Sequence, residues 1–332
     1  MTEPIRLHMN EMPYPPPAHV LKAAQRGLAL MHRYTDPEPA EALRGLLAGY
    51  CGVPREHLVL SPGSDLLLRE VIHSFSQGRK VITVSPSFFP TVQAARQFAP
   101  DSISIRLSPP AFCLDLELLL DTLERPSLVI IDNPNNPTGA MLLNPQAVTA
   151  ILEREEALLV VDEAYYEFSG QTFAAMVPDH ARLMVIRTLD KAFSLAGTRV
   201  GYGIAGAAFL DALSWFGAFP PQASLHAAVA ALGQPGYVRQ NVRRVIEERE
   251  RLRQALAALG VLAYLSHTNF LLVRTEVADL AARLSETGVL VSDVSNQLPA
   301  GFLRVTTGTP PENDAFIDAL AQQISGQSPL AT

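Results

Sequence analysis

Between Val53 and Gly206 the chain repeats one unit, an apolar run of strand length followed by an amphipathic stretch of helical length. That alternation constrains the fold more than any other feature. It specifies an α/β domain with a mostly parallel sheet, because a parallel neighbour is reached only through a crossover long enough to hold a helix. The runs read as a seven-stranded sheet: HLVLS at 57–61, KVITV at 80–84, SISIRL at 102–107, SLVIID at 127–132, ALLVVD at 157–162, LMVIRT at 183–188 and RVGYGIA at 199–205. DLLLREVIHSF and NPQAVTAILEREE are helices between them.

After Gly236 the texture changes to a long helix reaching about Leu259, short strands (VLAYLS, NFLLVR, GVLVSDV, FLRVTT) and a closing helix, PPENDAFIDALAQQI. This is the pattern of a smaller α+β domain. Prolines clustered at 13–17 exclude sheet interior and mid-helix, so the start reads as an extended arm leading into a helix over 18–31. The expected division is 1–31, arm and helix packing with the small domain; 32–235, large domain; and 236–332, small domain.

The formal charge is −7, and glutamates interleave with the arginines of RQNVRRVIEERERLRQAL, so nucleic acid is not an expected partner. No apolar run reaches the roughly 20 residues that span a bilayer, and the N-terminus lacks the apolar core of a signal peptide. The expected location is the cytoplasm, with no membrane contact. Cys51 and Cys113 read as small hydrophobes, and the eight histidines lack any H-x-x-x-H spacing, so no metal site is expected. Of 26 basic residues only Lys22, Lys80 and Lys191 are lysines, which leaves few candidates for chemistry that needs a primary amine.

Two signals compete in TLDKAFSLAGTRVGYGIAG, residues 188–206. GYGIAG matches the dinucleotide fingerprint, but that fingerprint needs a first glycine at a strand end and an acid about 20 residues further on. Here the glycines lie within the apolar run itself, and no acid occurs from Ser214 to Gly236. Lys191, in contrast, follows a strand end, where the loops of a parallel sheet gather around a ligand. ALLVVD delivers Asp162 and Tyr165 to a strand end, and SLVIID leads into NPNNPTG, a turn constrained by prolines and glycine. An acid, a phenol, an amide and an amine are the groups that pyridoxal phosphate requires, together with a helix N-terminus and an arginine for its phosphate.

In the order NEMPYPP, RYTDPEP, SPGSD, NPNNPTG, DEAYYEF, RTLDKAFSLAGTRVGYG and FLRVTTGT, the sequence resembles the fold-type I pyridoxal-phosphate aminotransferases, in particular their histidinol-phosphate aminotransferase-like branch, over nearly its whole length. The resemblance implies the PLP-dependent transferase fold, pyridoxal 5′-phosphate as cofactor, and ping-pong transfer of an amino group from an amino acid or histidinol-phosphate-like amine to a 2-oxo acid (EC 2.6.1.-). It assigns Lys191 as the amine that condenses with the cofactor aldehyde and then shuttles the proton. Asp162 pairs with the pyridine nitrogen, Tyr165 and Asn136 bond the ring oxygen, and Phe89 stacks on the ring. Ser64 and Asp65, through backbone amides, and Thr188 and Arg199, through side chains, hold the phosphate. Tyr34 reaches the phosphate of a neighbouring subunit, which implies a homodimer, while Arg304 grips the substrate carboxylate and Tyr14 and Asn136 complete the substrate side.

Two positions depart from that pattern. Asp190 stands where the branch carries serine before the lysine, so either it turns away toward Arg199 or grip on the phosphate is weaker. Ser292 stands where a substrate arginine is usual, which opens the donor to non-phosphorylated amino acids. A decarboxylase or lyase of the threonine-phosphate decarboxylase type is the alternative reading, and a regulator on the same fold would need an appended DNA-binding domain.

Overall fold

The structure, a computed structural model, describes residues 3–123, 125–213 and 219–325, so the outermost residues of the expected first and last domains lie outside the described residues. Among the described residues the strands are β1 Ile5–Leu7, β2 Leu58–Ser61, β3 Lys80–Ser85, β4 Ile103–Arg106, β5 Ser127–Asp132, β6 Ala157–Asp162, β7 Leu183–Thr188, β8 Gly201–Ala205, β9 Leu262–Ala263, β10 Phe270–Arg274, β11 Val289–Asp293 and β12 Phe302–Thr306.

Seven of them form the expected sheet, in the order β2-β8-β7-β6-β5-β3-β4, parallel except for β8. Its centre is covered on both faces. Val129, Ile131, Leu159 and Val161 pack into one apolar layer, and Leu128, Ile130, Leu158 and Val160 into the other. Strands buried on both sides read as uninterrupted apolar runs, which is why β5, β6 and β7 were plain in the sequence.

GYGIAG forms β8 and the turn after it, running antiparallel to its neighbours. Each glycine marks a close approach rather than a nucleotide. A Cβ at Gly203 would overlap the Met184 methyl, one at Gly206 the carbonyl of Ala181, and one at Gly201 the backbone of Gly63 and Ser64.

The smaller sheet has the order β1-β11-β12-β10-β9. VLAYLS contributes only Leu262–Ala263, and β1, three residues long, pairs parallel with β11 from the far end of the chain. The N-terminal segment therefore divides. Its strand joins the small sheet, whereas helix Ala18–Leu28 packs chiefly against helix Gln222–Gly233, so closely that a Cβ on Gly27 would overlap Ala223. Helix Gly236–Ala258 then leads to the small sheet. None of the described helices is long and apolar enough to cross a membrane.

Candidate active site

Asp132, Asp162 and Thr188 end three adjacent parallel strands, with Asp132 and Asp162 directly opposite in register. The C-terminal edge of a parallel sheet is where α/β proteins bind ligands. Here these residues border a cavity of about 450 Å³, together with Lys191 from the loop after β7 and Arg304 from β12.

Asp132, not singled out from the sequence, organises one wall. Its carboxylate accepts from Ser87 Oγ (2.9 Å), the Phe88 amide (3.2 Å), Asn135 Nδ2 (3.0 Å) and the Asn136 amide (2.8 Å). It thus ties the NPNNPTG turn to the Phe88 segment, even though burial pushes its carboxyl up to about 6. The anchored Asn136 presents Oδ1 to Arg304, which donates at 2.8 Å and also bonds the His8 carbonyl at 2.7 Å. Arg304 Nε is buried without a partner among the described residues, a donor left for a ligand.

Asn10, another residue without an assigned role, closes the site from the arm. Its side chain donates to the Tyr165 oxygen (2.8 Å) and its amide to Thr306 Oγ1 (2.9 Å). The signal for it was its place at the head of NEMPYPP.

Burial sets the electrostatics. Asp162 is pushed up to about 7 by burial, then by the neighbouring Asp132 carboxylate, and its carboxylate accepts the Ala164 amide at 3.0 Å. Desolvation raises Tyr165 to about 12 and lowers Lys191 to about 8. A buried amine titrating there is partly neutral near pH 7, which a nucleophilic lysine needs. Buried Asp162 gains most from a cation placed against it, such as a protonated ring nitrogen.

At the other end stands the N-terminus of helix Ser64–Phe75, whose first amides lack intrahelical partners. Gly63, at φ 91°, opens it, and a Cβ there would strike the Arg199 guanidinium. Arg199, itself at φ 52°, ion-pairs with both Asp190 and Asp65. Thr188 Oγ1 donates to the Val200 carbonyl (3.2 Å) and accepts the Asp190 amide (3.0 Å). Asp190 therefore turns toward Arg199 while still bordering the cavity.

Lys191, Asp162, Tyr165, Asn136, Ser64, Asp65, Thr188, Arg199 and Arg304 are thus brought together. Phe89 is not. It is 44% exposed at the start of helix Phe89–Phe98, and Phe88, held by its amide on Asp132, borders the cavity instead. Tyr14 lies in a smaller adjoining cavity with Arg6, Glu11 and Asp190. Tyr34 is 99% exposed and does not border the cavity, and Ser292 pairs with Arg304 across β11 and β12 but does not border it either.

Sequence reasoning also passed over Glu163 and Arg187, which form a buried ion pair behind the site at 2.9 Å. Nothing local marks it. The partners meet only because β6 and β7 are neighbours.

The cavity fits pyridoxal phosphate on its own chemistry: a buried lysine of lowered pKa and a buried carboxylate at one end, glycine-opened helix amides and an arginine at the other. That cofactor, when bound, supplies an aldehyde that exchanges amines and a ring that delocalises the electron pair released at Cα. Asp162 would hold the ring proton, Tyr165 and Asn136 would orient the ring oxygen, and Lys191 would carry the proton at Cα.

The family model of aminotransferase class I and II matches residues 2–320. A histidinol-phosphate aminotransferase from Sulfurisphaera tokodaii is 36% identical over 328 residues, covering 96% of this chain and 90% of the relative. The structure of histidinol-phosphate aminotransferase from Sinorhizobium meliloti in complex with pyridoxal-5′-phosphate is similar at a TM-score of 0.84 and 25% identity, covering 97% of this chain and 91% of that one. An L-threonine-O-3-phosphate decarboxylase from Porphyromonas gingivalis shares the fold at a TM-score of 0.82, with 23% identity over 96% of this chain and 99% of that one.

Proposed function

The chain belongs to the class I and II aminotransferases, and on that premise we propose an assignment of its site residues, its donor and its assembly. It is a pyridoxal-phosphate-dependent aminotransferase that moves an amino group between an amine donor and a 2-oxo acid in two half-reactions. In our assignment Lys191 is the reacting amine and proton carrier, Asp162 the partner of the ring nitrogen, Tyr165 and Asn136 the ring-oxygen partners, and Phe88 the stacking ring. Ser64, Asp65, Thr188 and Arg199 hold the phosphate, and Arg304 takes the carboxylate of the 2-oxo acid through its fork of donors. The observation that carries this reading is Arg304, fixed by Asn136 and His8, with one buried donor left over in the cavity that Lys191 also borders.

The first-choice donor is histidinol phosphate, on the strength of relatives named for it that are 32–36% identical. Ser292 beside Arg304 supports a second reading, a non-phosphorylated amino acid, since no cation stands at that position. The test is a screen of amine donors against 2-oxoglutarate. Histidinol phosphate giving the highest kcat/KM supports the first reading, and a non-phosphorylated amino acid giving it supports the second. Carbon dioxide released in place of a keto product would overturn both, and so would full turnover by Lys191→Ala.

The assembly in this reading is a cytoplasmic homodimer in which the exposed Tyr34 serves the neighbouring site. Mixing Tyr34→Ala with Lys191→Ala chains, each inactive alone, should then restore one working site per hybrid dimer. No recovery would count against the shared site.

A further inference from the structure

The phosphate end of the cavity carries more negative charge than a phosphate site needs. Arg199 is its cation, and it is held between two carboxylates, Asp190 and Asp65. Asp65 is 42% exposed and can stay solvated, but the Asp190 side chain is 6% exposed and borders the cavity itself. Val200 donates its amide to Asp190 Oδ1 at 3.3 Å, which fixes the carboxylate facing Arg199. With both acids ionised, Arg199 leaves this end at one net negative charge before a phosphate dianion arrives. A hydroxyl at position 190 would donate to phosphate, whereas an ionised carboxylate accepts only.

We infer that Asp190 takes up one proton from solvent when a phosphate ester binds at this end. The neutral carboxyl then donates a hydrogen bond to the phosphate, and Arg199, relieved of one carboxylate, pairs with the anion. No bond of the ligand changes, and the proton moves from water to the Asp190 carboxylate. The inference rests on the assignment of the phosphate to Ser64, Asp65 and Arg199.

The surroundings favour protonation. Burial pushes the Asp190 carboxyl up, against the pull of Arg199 and Lys191. Arg6, Glu11 and Tyr14 face it from the arm across the adjoining cavity, and Asp65 faces it from helix Ser64–Phe75. Asp132, Asp162, Tyr165 and Arg304 stand around the main cavity. An arriving dianion adds to the negative side of this balance and pulls the proton on. Affinity gained through Asp190 is therefore full below its pKa in the ligand-free chain, and it falls as pH rises toward the higher value in the complex.

The probe is pyridoxine 5′-phosphate, which has the ring and phosphate but no aldehyde, so the Lys191 amine forms no bond with it. Binding to the cofactor-free full chain is followed by calorimetry in buffers of different ionisation enthalpy, from pH 7 to 8.5, above the second phosphate pKa of about 6. The expected result is uptake of about one proton per ligand and affinity falling toward tenfold per pH unit, the limit for one linked proton. Asp190→Asn and Asp190→Ser should each take up about one proton fewer than wild type, show a shallower profile and bind more tightly at pH 8.5. Equal uptake in wild type and in both variants would overturn the inference. If Arg199→Ala binds pyridoxine phosphate as wild type does, the phosphate assignment itself fails. If Arg199→Ala loses affinity while the Asp190 variants keep the uptake, only the proton linkage fails.

Discussion

Two acid–arginine pairs lie close together in this chain and behave as opposites. Glu163 and Arg187, at the ends of β6 and β7, are 0% and 2% exposed. Glu163 also accepts from Thr172 Oγ1 (2.8 Å) and the Phe173 amide (2.6 Å), and the guanidinium lies 3.7 Å over the Tyr166 ring. Asp190 and Arg199 are 6% and 46% exposed, and the arginine is shared with a second acid at the edge of a cavity. A pair whose bonding positions are filled by protein holds strands together; a pair that opens on a cavity can exchange a partner for a ligand. The closed pair stands behind the cavity because Asp162 and Thr188 border it while their chain neighbours Glu163 and Arg187 do not, as neighbouring residues of a strand face opposite sides.

Breaking the closed pair should have the largest effect on stability. Arg187→Met strands a buried carboxylate, and denaturant unfolding of the cofactor-free chain should show a loss of about 3–5 kcal/mol. A loss under about 1 kcal/mol, the scale of a surface pair, would erase the contrast. Arg199→Ala should reverse the pattern. Cofactor-free stability should fall by no more than about 1 kcal/mol, because Arg199 is half-exposed and Asp190 opens on the cavity, while cofactor affinity, followed by fluorescence titration, falls by about 1.5–3 kcal/mol, roughly 10- to 150-fold, as for a hydrogen bond to a charged group. A smaller effect separates the phenylalanine doublet: Phe88→Ala should weaken cofactor binding by about 0.5–1.5 kcal/mol through lost ring contact, and exposed Phe89→Ala should leave it unchanged. The opposite order would restore Phe89 as the stacking ring.

Much of the fold was legible because the central strands are buried on both faces and flank punctuated turns. β1 was not, since IRL is too short to show a period and its partner lies more than 280 residues away. Lys191, Asp162, Tyr165 and Asn136, which border one cavity, were legible as candidates because each follows a strand end beside a distinctive motif. Phe89 was named for the stacking role because a doublet at a helix start gives no clue to which ring faces in. The Phe88 amide donates to Asp132 and Phe88 borders the cavity, which favours Phe88, and that is a long-range contact. Asn10 and the Glu163–Arg187 pair were hidden for the same reason: their partners are set by topology, not by spacing.

The central claim is that the chemistry resides at Lys191, and the scarcity of lysine makes it directly testable. Borohydride reduction of the cofactor-loaded chain, followed by peptide mapping, distinguishes Lys191 from exposed Lys22 and from Lys80 at the start of β3. The account predicts the cofactor on Lys191 alone, with labelling of the cofactor-free chain by an amine reagent half-maximal near the pKa of about 8 that burial gives this amine. Cofactor on Lys22 or Lys80 to an equal extent, or a Lys191 amine that titrates like a solvated lysine, would contradict it.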